Sequence, residues 1–139
     1  MILYLLVTDK KSTSIKKWAF IYLLISLFCI LFGAVYEYFS HGVYSNYMIY
    51  AFLFPLIGGT LVTFLLDYGS EKIMPGRIPF NLYNSGIAAL TMGNFFQGVL
   101  DIYGTTNNLV SVYWIVGAAM ISLSIIMYII ASCVFNKRR

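Results

Sequence analysis

Four long stretches without a charged residue constrain this chain more than any other feature. They cover approximately residues 18–36, 47–66, 80–100 and 109–135 of the 139. Each is close to, or longer than, the roughly 20 residues that a helix needs to cross the hydrocarbon core of a bilayer. Backbone groups in lipid must be satisfied internally, and the stretches do not alternate as barrel strands do. The sequence therefore predicts an all-α integral membrane protein with four transmembrane helices, here called spans one to four.

The composition agrees with a lipid environment. Hydrophobic residues make up 60% of the chain and charged residues 10%, whereas a soluble domain carries roughly 25% charged residues. The basic residues lie in short clusters beside the apolar stretches, which is typical of contacts with lipid headgroups and not with nucleic acid. We therefore expect a single four-helix domain over residues 1–139, with the lipid bilayer as its surroundings and no nucleic-acid partner.

The basic residues also predict an orientation. They precede span one, lie between spans two and three, and follow span four: Lys10, Lys11, Lys16, Lys17, Lys72, Arg77, Lys137, Arg138 and Arg139. The connections after spans one and three contain no lysine or arginine, and the acids Glu37 and Asp101 lie beside them. The positive-inside rule then places both termini in the cytoplasm of a multi-pass plasma-membrane protein. The short loops predict an antiparallel bundle.

Span three is the most polar of the four. Asn94, Gln97 and Asp101 follow an i, i+3, i+7 pattern, so they share one face of a helix. Facing lipid would be costly for these groups, and we expect the face to point into the bundle or toward a partner chain. A second row of small residues, at four-residue steps, is typical of helices that approach each other closely: Ser85, Ala89 and Gly93.

Span one carries a comparable edge. Gly33, Glu37 and His41 follow at four-residue steps after Cys29, with Gly33 as a helix-packing residue. Glu37 and Asp101 lie at nearly the same expected depth. If the two edges face each other, the two carboxylates and the only histidine meet at the outer mouth of the bundle, with two amides just below them. The candidate residues of this ion- or substrate-binding site are Glu37, His41, Asn94, Gln97 and Asp101. Such a group can bind a cation or share one proton between like charges.

A structural role for the same residues is the open alternative. An acid at the end of a helix is often a hydrated boundary residue, and a single histidine in a loop is often exposed. The amides of span three can serve as hydrogen bonds between helices without forming a polar route. A metal at Glu37 and His41 stays undecided on these grounds.

Pro55 predicts a kink inside span two. Proline removes one helical hydrogen bond and crowds the preceding turn. The pair Gly58-Gly59 follows a few residues later.

The motifs of common catalytic and cofactor sites are missing from the sequence. With only His41, the chain lacks the two histidines that a b-type haem usually requires. It also contains no Gly-rich phosphate loop, Cys-x-x-Cys pair or H-E-x-x-H helix. We therefore expect no cofactor and no enzymatic activity.

Three functions remain. The first is a homo-oligomeric transporter or channel for a cation or small solute, because four helices alone enclose little space beyond their own side chains. The size and span count resemble those of the small multidrug-resistance exporters, which use a membrane glutamate. Glu37 departs from that class by lying near the outer end of span one, so no role is carried over. The alternatives are a non-catalytic accessory subunit that binds a larger membrane protein through span three, and a binder of a lipophilic ligand near Tyr36, Tyr47 and Tyr50.

Overall fold

The computed structural model describes residues 12–69 and 76–136, with side chains over 17–66 and 76–134. These residues form helices and no strands. The elements are α1 (Ser12–Phe39), α2 (Asn46–Tyr50), a π-helical segment (Phe54–Leu61), α3 (Val62–Gly69), α4 (Arg77–Tyr103), a 3₁₀ turn (Asn108–Val110) and α5 (Ser111–Asn136). Because α2, the π-helical segment and α3 follow one another along residues 46–69, we call them together the second long helix. The predicted all-α chain with four long helices is confirmed.

Three helical segments are long and apolar enough to cross a membrane: Lys17–Phe39, Asn46–Leu66 and Asn108–Val134. Their lengths and composition are consistent with a membrane protein. The helix α4 has a comparable length, 27 residues, but it does not reach the same apolar character. Its amide and carboxylate side chains explain the difference: Asn81, Asn84, Asn94, Gln97 and Asp101.

Glycines mark where α1 meets the second long helix. An added Cβ at Gly59 would overlap the ring of Tyr22, so that ring lies directly on the glycine backbone. Gly33 lies beside the backbone of Met48, where an added Cβ would be 3.4 Å from the Met48 carbonyl oxygen. Residue numbers rise along one helix as they fall along the other, and the two helices are therefore antiparallel.

The helices α4 and α5 approach each other closely at glycine residues. An added Cβ at Gly86 would lie 2.9 Å from the Gly117 carbonyl oxygen, and one at Gly93 would lie 2.8 Å from Cβ of Tyr113. Of the predicted row of small residues, Gly93 lies in this contact, whereas Ser85 is exposed and Ala89 is partly exposed. Gly86 and Gly93 both face α5 and are seven residues apart, because two full turns bring a residue back to the same face. The Leu90 side chain, between them in the sequence, lies against Gly117 of α5.

The four long helices form an open series of neighbours. Among the described residues, no Cα of α1 lies within 8 Å of α4 or α5, and no Cα of the second long helix lies within 8 Å of α5. Aromatic pairs fill the wider gaps. Trp18 meets Phe80 at 5.3 Å between ring centroids, and Tyr47 stacks on Trp114 at 5.7 Å. The outer members of the series, α1 and α5, consequently leave most of their apolar surface uncovered.

Pro55 lies at the start of the π-helical segment and is buried. The sequence predicts a kink at this residue, and the helix changes its hydrogen-bond pattern here, because proline has no N–H to offer to the preceding turn. Neighbouring side chains bind the segment's carbonyl groups. Tyr83 donates from its hydroxyl to the Gly58 oxygen at 2.7 Å, and Thr63 donates to the Gly59 oxygen at 2.7 Å.

Candidate functional site

Asp101 is held by two hydrogen bonds at the end of the fold that also contains Glu37, here called the acidic end. Gln97 donates from Nε2 to Oδ1 at 2.9 Å, and Ser45 donates from Oγ to Oδ2 at 2.9 Å. Ser45 is buried and stands directly before α2. The Asp101 carboxylate therefore connects the last turn of α4 to the start of the second long helix.

Glu37 has different surroundings. It lies in the last turn of α1, and its Oε1 atom is buried without a hydrogen-bond partner among the described residues. Its backbone is well held: Ser40 donates to the Glu37 carbonyl oxygen from N at 3.1 Å and from Oγ at 2.7 Å. Leaving a buried polar group unpaired costs about 1–3 kcal/mol, and more when the group is charged. An acid in this position near the end of an apolar helix is a candidate functional group.

The two acids flank the same part of the second long helix. Gly33 lies one turn before Glu37 and packs against Met48. Gly98 lies three residues before Asp101 and packs against the same methionine, since an added Cβ at Gly98 would lie 2.9 Å from Cβ of Met48. Within the described structure the Cα atoms of Glu37 and Asp101 are more than 8 Å apart, and no hydrogen bond joins the two side chains. The structure thus pairs Asp101 with Gln97 and Ser45, and it places Glu37 separately.

His41 lies in the turn after α1. Its backbone φ is +57°, followed by +89° at Gly42, and this left-handed pair ends the helix at Phe39. Its Nδ1 atom is 2.9 Å from the Phe39 carbonyl oxygen, and the side chain is exposed. The four-residue spacing from Glu37 therefore does not put both side chains on one helical face. In residues 17–66 and 76–134, no three His, Cys, Asp or Glu side chains are grouped to hold a metal ion.

Two further polar side chains of α4, Asn94 and Thr91, are engaged within their own helix. Asn94 is buried and donates from Nδ2 to the Leu90 carbonyl oxygen at 2.9 Å. Thr91 donates in the same way to the Ile87 oxygen at 2.8 Å. These bonds satisfy the side chains locally, so in one copy of the chain they do not line a continuous polar route.

A cavity of about 420 Å³ opens at the acidic end between α1 and α4. We call it the mouth cavity, and its lining combines aromatic rings with the polar turn after α1: Phe32, Val35, Tyr36, Phe39, Ser40, His41, Ile102 and Tyr103. Tyr36 is one of the three tyrosines that the sequence proposes for binding a lipophilic ligand, and it lines this cavity. Tyr47 instead stacks on Trp114, and Tyr50 is exposed. The cavity adjoins the helical turn that carries Glu37.

The sequence pattern does not predict a role at this site for Ser45 or Gly98. A serine before an apolar stretch is a common residue at the start of a helix, and that signal was present for Ser45. Here the hydroxyl makes no cap hydrogen bond to α2 and donates to Asp101 instead. Gly98 carried no local signal, because its importance arises only from the Met48 backbone that packs on it.

Comparison with protein-family models, curated proteins and solved structures finds no match to this chain. The fold itself defines a class: an all-helical protein whose three long apolar helices are consistent with a membrane protein.

Proposed function

We propose that this chain is a four-span plasma-membrane protein, with both termini in the cytoplasm, that carries a cation or a small cationic solute as a homo-oligomer. Glu37 is its charged site. In this orientation the acidic end and the mouth cavity face outward. The observation that carries the proposal is the buried Oε1 atom of Glu37, which has no partner in the described residues. A cation supplies the missing partner for a buried carboxylate oxygen.

The proposal assigns different roles to the two acids. Both carboxylate oxygens of Asp101 already accept hydrogen bonds, from Gln97 and Ser45. Binding a cation there would compete with bonds that join two helices. Glu37 has no such bond to lose at Oε1. Asp101 is thus a structural acid, and Glu37 is the acid available to a solute.

The homo-oligomer follows from the open series of helices. The polar side chains Thr91, Asn94 and Gln97 are bonded within α4, and α1 does not contact α5 within the described residues. A single copy therefore surrounds no polar route through the bilayer. A route past Glu37 needs the apolar faces of a second copy to exclude lipid.

The alternative of an accessory subunit that binds through span three has less support from the geometry. The helix α4 lies between the second long helix and α5, and its glycines are used in these internal contacts: Gly86, Gly93 and Gly98. Affinity capture in mild detergent separates the two functions. Capture of the chain alone agrees with a homo-oligomer, and a stoichiometric larger membrane protein supports the accessory subunit.

The test of transport uses purified protein in liposomes and follows efflux of Na⁺, K⁺ and ethidium in separate assays. We expect flux of at least one cation above that of empty liposomes, and we expect Glu37→Gln to reduce it to the empty-liposome level. Glu37→Asp, which keeps the charge, should retain part of the flux. Asp101→Asn is the matched acid control and should retain flux per folded molecule. Equal flux from wild type and Glu37→Gln would refute the proposal.

A further inference from the structure

A second cavity, distinct from the mouth cavity, lies between α1 and α4 in the middle of the helices. Its volume is about 290 Å³. We call it the α1–α4 groove, and its lining includes Trp18, Tyr22, Cys29, Pro55, Asn84 and Phe95. The edge-to-face pair of Phe32 and Phe95, at 5.2 Å between centroids, stands between this groove and the mouth cavity.

The floor of the groove is the irregular part of the second long helix. Pro55 lines it at the start of the π-helical segment. Irregular backbone at membrane depth is tolerated where it is buried in protein or lines a cavity, and interrupted helices frequently contribute to binding sites there. Helical π turns are likewise frequent at functional sites. The irregular backbone at the start of the π-helical segment therefore lies at the wall of the α1–α4 groove.

Asn84 gives the groove a polar contact of defined direction. Its Oδ1 accepts a hydrogen bond from the Tyr22 hydroxyl, which fixes the orientation of the amide. Its Nδ2 group has no acceptor among the described side chains and backbone. The hydroxyl of Thr91, also in the lining, is already bonded to the Ile87 carbonyl oxygen. An amide donor without an acceptor is unfavourable in an apolar site, and a ligand that accepts from it gains that hydrogen bond.

We propose that the α1–α4 groove binds a neutral, planar, membrane-soluble carbonyl compound, whose oxygen accepts a hydrogen bond from Asn84 Nδ2. None of the described residues that line the groove is charged, so a charged ligand would lose its hydration without gaining a partner. The rings of Trp18, Phe28 and Phe95 offer flat apolar surface to a planar molecule. The volume suits one small molecule, or the ring of a larger lipid whose tail stays in the bilayer. This site does not depend on transport at Glu37.

Cys29 is a natural reporter of this groove. It is one of the two cysteines of the chain, lies in the lining and is buried. In Cys133→Ser protein in lipid nanodiscs, the rate at which N-ethylmaleimide alkylates Cys29 is measured by mass spectrometry. The measurement is repeated with 2-acetylnaphthalene and with 2-ethylnaphthalene, which has nearly the same shape but no carbonyl group.

The expected result is protection by 2-acetylnaphthalene at a concentration about tenfold lower than 2-ethylnaphthalene needs, the factor that one hydrogen bond supplies. Asn84→Leu should abolish this difference. Tyr22→Phe is the matched control, because it also breaks the Tyr22–Asn84 hydrogen bond but keeps the Nδ2 donor, and it should keep the difference.

Equal protection by the two naphthalenes in the wild type, or protection by neither, would overturn the proposal. If the buried Cys29 thiol reacts too slowly to be followed, a second measurement replaces alkylation. It records quenching of Trp18 fluorescence by the same two compounds in Trp114→Phe protein. The same tenfold preference is expected there, and no preference would contradict the proposal.

Discussion

Ser45 Oγ donates a hydrogen bond to Asp101 Oδ2 at 2.9 Å and thereby joins the start of the second long helix to the end of α4. These residues are 56 positions apart in the sequence. Ser45 is buried, and Gln97 bonds the other carboxylate oxygen. Asp101, which the sequence pattern groups with Glu37, is thus part of an internal connection between helices.

Removing the Ser45 hydroxyl should destabilise the fold. We expect Ser45→Ala to lower the free energy of unfolding in detergent by about 1 kcal/mol, because a partly buried carboxylate loses a donor. Ser122→Ala is the control, since the exposed Ser122 hydroxyl bonds only the Ala118 oxygen of its own helix. In Asp101→Asn protein the effect of Ser45→Ala should shrink. An equal loss from both serine variants would contradict the assigned connection.

Gly59 should not tolerate a side chain. An added Cβ would overlap the Tyr22 ring, and we expect Gly59→Ala to cost about 1–3 kcal/mol through overpacking. At Gly33 the nearest atom to an added Cβ is 3.4 Å away, so Gly33→Ala should have little effect on the unfolding midpoint. Combining Gly59→Ala with Tyr22→Leu should cost less than the sum of the two single changes. Additive costs would show that the ring does not lie on Gly59.

The neighbours Ser85 and Gly86 distinguish the predicted contact row from the observed one. An added Cβ at Gly86 would lie 2.6 Å from Cγ1 of Ile121, whereas Ser85 is exposed. We therefore expect Gly86→Ala to destabilise the α4–α5 pair by about 1–3 kcal/mol and Ser85→Ala to change little. Thermal unfolding of the two variants, side by side in the same detergent, measures the difference. A larger effect at Ser85 would favour the row that the sequence suggested.

Tyr83 should stabilise the π-helical segment through its hydroxyl. Tyr83→Phe removes the 2.7 Å bond to the Gly58 oxygen, and we expect a loss of about 1 kcal/mol. Hydrogen exchange of the backbone amides in residues 54–61 should become faster. Tyr113→Phe serves as control, because no hydrogen bond of its hydroxyl occurs among the described residues. Unchanged exchange in Tyr83→Phe would mean that the segment does not depend on this bond.

The helices were predictable because one physical rule dominates their positions. A long charge-free stretch that crosses lipid has to be helical, and three of the observed helices are long and apolar enough to do so. Pro55 likewise signalled the irregular helix through its missing N–H. The apolar pattern carries less information about which faces meet: the four-residue row points to Ser85, whereas Gly86 contacts α5.

The candidate site was predictable only in part. Charge alone singled out Glu37 and Asp101, since acids are rare between apolar stretches. Their separation depends on how α1 and α4 pack on Met48, a contact between distant parts of the chain. The position of His41 depends on the left-handed turn with Gly42, which ends α1 at Phe39. Helical spacing could not foresee that break.

The most direct test of a Glu37-dependent homo-oligomer measures cation flux as a function of the fraction of Glu37→Gln chains. Wild-type and variant chains are co-expressed at graded ratios, purified together and reconstituted at constant total protein, with Asp101→Asn chains mixed in parallel. We predict that flux falls more steeply than the wild-type fraction and reaches the empty-liposome level with Glu37→Gln alone, because one neutralised subunit impairs its partners. Flux that does not change with the fraction of Glu37→Gln would contradict the proposed role of Glu37.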